Sequence, residues 1–291
     1  MTKREYRIIF LGTSIFALPI LNALIKSNYK PLVIITEPDR PKGRGQKLTP
    51  PPVKILSQKY NIPLWQPLKI GRLKKEIKNL NPDIGVVTAY GQIIPKEILS
   101  IPRYGFLNIH PSLLPKYRGA SPIQTTILNG DKETGVTIIK MDEQIDHGPI
   151  IKNIKFQITN PKITYPELSN KLANIGANLL LNTLPQYLSG KIKPIKQDHS
   201  QASYTQLLKK SDGLIDWKKK PEEIERQIRA FTPWPGCYTI INQKRFKICQ
   251  AHLDYGKLII DRIQPEGKKE MSFQEFAHGY PKELTFFENQ L

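Results

Sequence analysis

Short runs of β-branched and other apolar residues alternate with helical stretches through the first half of the chain, and this alternation constrains the fold more than any other feature. Arg7–Leu11 (RIIFL) reads as a buried strand ending at Gly12, Phe16–Lys26 as a helix and Leu32–Thr36 (LVIIT) as the next strand. Helical spacing returns at Val53–Tyr60 and Arg72–Asn79, and strand runs at Asp83–Tyr90, Phe106–His110 and Gly135–Met141. Strands separated by helices need crossover connections, so the pattern predicts an α/β fold with a mostly parallel sheet covered on both faces. Apolar residues make up 39% of the chain, enough for a real core. Such sheets bind ligands beyond the carboxyl ends of their strands, which points to the residues after Leu11, Thr36, Val87, Leu107 and Ile139.

The texture changes later. Tyr165–Leu188 is an amphipathic helical stretch closed by Gly190, and Lys191–Ser203 is polar and basic with the look of a linker. Pro221–Ala230 is a helix with proline at its start. Tyr238–Ile241, Phe246–Gln250 and Lys257–Ile263 then follow as strands with no helices between them. The expected organisation is a Rossmann-like catalytic domain over 1–189, a linker over 190–208 and a small β-rich domain over 209–291. The turn after the first strand, Gly12-Thr13-Ser14, is not the glycine-rich dinucleotide fingerprint, and no phosphate-binding P-loop pattern occurs. The fold is thus expected without a dinucleotide site. Ile8–Ile25 resembles a signal peptide or a short membrane span, but Gly12, Thr13, Ser14, Pro19 and Asn22 interrupt it and no small-residue cleavage site follows. With two cysteines in no metal-type spacing, the chain is expected to bind no metal and to work in a reducing cytoplasm, away from membranes.

The chain carries 44 basic against 25 acidic residues, a formal charge of +19. The excess is spread: 26 basic and 12 acidic residues up to Ser189, 18 and 13 beyond. A phosphate-bearing partner explains such a surface, and so does a lysine-rich composition that merely solvates it.

Chemistry concentrates in Gly105–Ile150. Asn108 and His110 interrupt an apolar strand end and, two residues apart, share one of its faces. Ser112-Leu113-Leu114-Pro115 follows as a stiff loop, and Asp146 lies beyond a later strand. An amide, an imidazole and a carboxylate brought together can stabilise a developing oxyanion and move a proton. Singly, each has an ordinary explanation: a core histidine bonded to backbone, a turn-forming asparagine, a turn acid.

The segment N-I-H-P-S-L-L-P-K-Y-R-G-A-S-P-I-Q, followed by D-x-x-x-D-H-G, resembles the 10-formyltetrahydrofolate-dependent formyltransferases. Ile9–Leu21, the loop Glu37–Lys54 (EPDRPKGRGQKLTPPPVK), Ile215–Tyr238 and Gln264–Phe276 are similar to the methionyl-tRNA formyltransferases in particular. The resemblance covers nearly the whole chain. It implies Asn108, His110 and Asp146 as the catalytic trio. It implies Ser112, Leu113, Leu114 and Pro115 lining the folate site, with the strand end Val87, Ala89, Tyr90 and Gly91 beside the pterin. It implies Arg40, Lys42, Arg44 and Lys47 meeting the acceptor end of initiator methionyl-tRNA. The formyl donor would be 10-formyltetrahydrofolate and the enzyme a monomer. One departure stands out: only seven residues, CQAHLDY, separate Phe246-Lys247-Ile248 from Gly256-Lys257-Leu258. The family's OB-like C-terminal barrel is therefore expected in an abridged, open form. A sugar-nucleotide N-formyltransferase, a formyltetrahydrofolate hydrolase and a non-catalytic RNA-binding protein on the same scaffold are the rival readings.

Overall fold

The structure is a computed structural model that describes residues 6–43 and 45–290. Its opening strand, β1 (Ile8–Gly12), is buried at every position, as befits the centre of a sheet covered on both faces. There follow α1 (Ala17–Ile25), β2 (Val33–Ile35), a hairpin of β3 (Arg40–Lys42) and β4 (Lys47–Thr49), α2 (Pro52–Lys59), β5 (Leu64–Trp65), α3 (Lys74–Leu80), β6 (Ile84–Thr88), α4 (Lys96–Leu99) and β7 (Phe106–His110). Next come β8 (Arg118–Gly119), α5 (Pro122–Leu128), β9 (Glu133–Lys140), β10 (Ile150–Gln157), α6 (Tyr165–Leu188), β11 (Tyr204–Thr205) and α7 (Pro221–Phe231). The chain closes with β12 (Cys237–Ile241), β13 (Lys244–Asp254), β14 (Lys257–Pro265), β15 (Met271–Ser272), α8 (Phe273–Gly279) and α9 (Pro281–Glu288).

Seven strands join in the order β10-β9-β7-β6-β1-β2-β5. The five from β7 to β5 are parallel, as the alternating pattern requires. The exception is β9, which runs antiparallel to β7 with Leu107 opposite Lys140 and His110 opposite Thr137. Its carboxyl end therefore lies at the opposite edge from that of β7. A strand's own residues do not encode its direction, so the expectation that Ile139 leads into the ligand-binding edge fails.

The chain groups into two compact units, Met1–Arg118 with Thr134–Phe156 and Ser169–Tyr204, and Gly119–Glu133 with Gln157–Leu168 and Thr205–Leu291. This grouping crosses the linear division expected from the sequence. In the first unit one face of the sheet carries a cluster of Ile9, Leu11, Val33, Ile35, Val87 and Phe106 with residues of the covering helices. The other face receives α6. A Cβ on Gly176 would lie 2.9 Å from Ile109 Cγ2, so the bare Cα is what lets this helix sit tight against β7. Ile109 thus faces α6, while Phe106, Asn108 and His110 face away from it. The stretch expected as a linker is not a free tether. Ile195 and Ile150 exchange backbone hydrogen bonds of 2.7 and 2.8 Å, and Gln197 is buried.

The second unit holds an antiparallel sheet, β12-β13-β14-β15. Both of its long hairpins use two-residue turns with positive φ, Asn242-Gln243 and Tyr255-Gly256, whose twist matches that of the strands they join. The seven-residue gap is explained: those residues extend β13 and enter the Tyr255-Gly256 turn straight into β14. The abridged domain is an open four-stranded sheet, its core built on Trp217, Phe246, Phe276 and Phe287, with α8 and α9 beside it.

Candidate active site

β7 delivers its two polar side chains to one face, and the loop after β9 brings the acid to them. Asn108 Nδ2 donates to Asp146 Oδ1 at 2.9 Å. His110 Nδ1 lies 3.4 Å from Asp146 Oδ2, a long approach for a hydrogen bond. His110 Nε2 is 2.9 Å from the Tyr117 carbonyl oxygen. That oxygen only accepts, so Nε2 carries a hydrogen. Nδ1 is the ring nitrogen that faces the Asp146 carboxylate. The pair is well shielded, with side-chain exposures of 5% for His110 and 10% for Asp146. The three residues singled out in the sequence therefore converge. His110 is at the same time the buried, backbone-bonded histidine of the ordinary explanation: the bond to Tyr117 orients it.

Two residues in contact with His110 hold left-handed backbone without being glycine: Tyr117 at φ +62° and Asp146 at φ +49°. Such conformations cost about 1–2 kcal/mol for most residues and less for Asp. Each serves His110, Tyr117 through its carbonyl and Asp146 through its carboxylate, the kind of local strain that functional sites retain. The loop between them is stapled down. Ser112 Oγ donates to Lys116 O at 2.6 Å, Thr137 Oγ1 donates to Ser112 O at 2.7 Å and accepts from Leu114 N at 3.1 Å. Thr137 is the register partner of His110, a support that the sequence reading missed because it lies on a different strand.

The loop carrying Asp146 packs closely on the end of β9. A Cβ on Gly148 would stand 1.9 Å from the Lys140 carbonyl oxygen, a clash with backbone that no rotamer relieves. Gly148→Ala should destabilise the protein by about 1–3 kcal/mol, as overpacking does, and lower turnover by displacing Asp146. Thermal unfolding and kcat measured together check this; an unchanged Tm with full activity would show that the loop yields freely.

The candidate folate residues fall at two places. Val87 is the register partner of Asn108, so the end of β6 adjoins the trio. There Ala89 and Gly91 are exposed in left-handed conformations, φ +45° and +94°, while Tyr90 is buried with its hydroxyl lacking a hydrogen-bond partner among the described residues. Burial, with Glu37 adding to it, pushes that phenol up, so it stays neutral and able to donate. An orphaned buried donor beside exposed backbone fits a heterocycle with a polar edge. Ser112–Pro115 begins two residues after His110, but the Ser112 hydroxyl is committed to Lys116 and almost wholly buried, so this loop shapes the site more than it offers side-chain donors.

The basic loop is an ordered hairpin rather than the adaptable coil its glycines suggest. Arg40 lies opposite Thr49, Pro41 opposite Leu48 and Lys42 opposite Lys47. Its root is anchored: Lys54 Nζ reaches Asp39 at 2.8 Å, and Gln66 Nε2 donates to Glu37 O and Asp39 Oδ1. Glu37 also pairs with Arg40 at 3.0 Å and lies 3.1 Å from where a Gly91 Cβ would be, so the root of the hairpin touches the end of β6. Lys42 and Lys47 are exposed; Arg44 lies outside the described residues. Among the described residues, no group of three or more His, Cys, Asp and Glu side chains is placed to hold a metal ion, and no helix is long and apolar enough to cross a membrane.

Residues 6–184 match the family model described as formyl transferase, and residues 207–257 the model of the formyl transferase C-terminal domain. The methionyl-tRNA formyltransferase of Geobacter sulfurreducens is 41% identical over 298 residues, covering 94% of this chain and 94% of its own. That of Buchnera aphidicola subsp. Schizaphis graminum is 46% identical over 252 residues, covering 86% of this chain and 80% of its own. Among solved structures, a sugar 3N-formyl transferase in the presence of dTDP and 5-N-formyl-THF superposes with a TM-score of 0.67 at 26% identity, over 92% of this chain and all of that one. A methionyl-tRNA formyltransferase from Clostridium thermocellum shares the fold, with a TM-score of 0.61 at 22% identity, over 89% of this chain and 98% of that one. The chain belongs to the methionyl-tRNA formyltransferase family of formyl transferases.

Proposed function

We propose that this chain transfers the formyl group of 10-formyltetrahydrofolate to the α-amino group of initiator methionyl-tRNA, giving N-formylmethionyl-tRNA for translation initiation. The observation that carries the proposal is the convergence of Asn108, His110 and Asp146 on one shielded face of the sheet. When bound, the folate supplies an electrophilic formyl carbon and the N10 leaving group. Asn108 uses one N–H on Asp146 and has a second for an oxygen that gains negative charge as the amine adds. The His110 Nδ1–H is a second donor to that oxygen, because its 3.4 Å approach to Asp146 is loose enough to be redirected. Donors of this kind are worth about 3–4 kcal/mol each to the transition state. Asp146 takes the proton that the attacking amine must lose, and a proton must reach N10 as its bond to carbon breaks, so the exchange is neutral overall.

The end of β6 at Val87–Gly91 and the loop Ser112–Pro115 receive the folate. Residues 1–189 carry the reaction, and 209–291 serve the tRNA. The hairpin with Arg40, Lys42, Arg44 and Lys47 contacts the acceptor end. Two lysines held face to face with no acid between them suit a partner that brings phosphates. The enzyme acts as a monomer in the cytoplasm.

The test offers 10-formyltetrahydrofolate with charged initiator methionyl-tRNA, with an amino-sugar nucleotide, and with water alone. Tetrahydrofolate release is expected with the tRNA. Release only with the sugar nucleotide would move the chain to the chemistry of the sugar 3N-formyl transferase it superposes on, release with water alone would make it a hydrolase, and none at all would leave a binding protein.

A further inference from the structure

Gln197 comes from the stretch that reads as a linker, yet it is buried behind the loop that carries Asp146. Its Nε2 donates to two backbone carbonyls, Asp146 O at 2.8 Å and Gly148 O at 2.7 Å. Its Oε1 accepts from Arg118 Nη2 at 2.7 Å. Arg118 is 1% exposed. A guanidinium can only donate, so the Gln197 oxygen must face Arg118 and the NH2 must face the two carbonyls. The amide has one permitted orientation, and both of its hydrogens clamp the turn around His147.

Arg118 is itself held from the far side. Nη2 also meets His199 Nδ1 at 2.8 Å, and Nη1 donates to the Tyr204 hydroxyl at 3.2 Å. The His199 ring stacks on His147 with centroids 4.0 Å apart, and His147 Nδ1 contacts Asp142 Oδ2 at 2.6 Å. Desolvation, with His147 and Arg118 adding to it, holds the His199 imidazole below its ordinary range, which leaves Nδ1 able to accept from Arg118. At the centre of this bracing sits Asp146, in a backbone conformation that needs outside support.

We infer that Gln197, oriented by Arg118, is a positioning residue for the reaction: it fixes the 146–148 turn so that the Asp146 carboxylate meets Asn108 and His110 together. The inference rests on the proposed role of that trio. Gln197→Glu is the discriminating change. It keeps the side chain's size and its Arg118 partner but removes both donors, setting carboxylate oxygens against two carbonyls. Gln197→Met removes the donors without adding charge and is read in its place should the Glu variant not fold. Misplacement of a catalytic group by part of an ångström predicts a fall in kcat of about 10- to 100-fold. KM for folate and for tRNA should stay within about threefold, since no binding contact is removed. On an Asp146→Asn background the same change should cost nothing further, because Gln197 acts through Asp146.

A kcat near that of the parent in a folded Gln197 variant, beside a strongly impaired Asp146→Asn, would overturn the inference and leave the trio standing. So would full additivity of the two changes. An active Asp146→Asn would instead remove the trio itself, and the two failures are told apart by that single variant.

Discussion

Asp146→Asn should lower kcat roughly 1,000-fold while leaving the protein folded and its KM values close to those of the parent. The substitution is nearly isosteric, and the site accommodates it. An Asn oxygen can still accept from Asn108 Nδ2, as Asp146 Oδ1 does at 2.9 Å. The new NH2 faces His110 Nδ1, which can then accept as a neutral ring while Nε2–H stays on Tyr117 O. Both contacts survive with the sense of one reversed, so little stability should be lost. What disappears is the carboxylate that we propose takes a proton from the amine. A general base of this kind contributes about 10²–10⁴ in rate. Single-turnover formylation with saturating folate, paired with a thermal melt, reads both quantities. A variant that turns over within tenfold of the parent would take Asp146 out of the proton path.

The sequence was informative about this site because its two halves obey local rules. Asn108 and His110 are two apart on a strand, and alternation alone puts them on one face. Parallel strands buried on both faces announce themselves as apolar runs, and β1, β6 and β7 lie within a residue or two of where those runs fall. Non-local pairing was hidden. Nothing in Gly135–Met141 says that its strand runs against β7, so Asp146 reaches Asn108 along a folded-back loop and not by standing at the same strand edge. Gln197 was hidden for a like reason: a polar residue in a basic, proline-containing stretch reads as linker, and only its meeting with Arg118, 79 positions earlier, reveals a buried pair. The hairpin is hidden for the same non-local reason. Gly43 and Gly45 suggest a mobile coil, but Lys54 and Gln66, from elements further along the chain, anchor its root.

Lys42→Glu should weaken binding of initiator methionyl-tRNA about 100-fold without weakening the fold. Lys42 sits directly opposite Lys47 across the β3–β4 pair, and both are exposed. Like charges so placed destabilise a strand pair by a few tenths of a kcal/mol, whereas opposite charges stabilise it. The substitution therefore improves the free hairpin. In the proposed complex it does the reverse, removing one phosphate contact and drawing Lys47 away from a second. Two charge-assisted contacts at about 1.5 kcal/mol each amount to about 3 kcal/mol, a factor of roughly 100. The salt dependence should change with it: losing two contacts flattens the slope of log K against log salt by about 1.5 to 2. The gap between parent and variant should accordingly narrow as salt is raised, while KM for folate and the melting temperature hold or rise. These opposite signs separate a binding surface from a merely solvated insertion, for which reversing one exposed charge changes neither tRNA affinity nor its salt slope. Parent-like affinity in the variant at low salt would mean that the hairpin does not touch the tRNA.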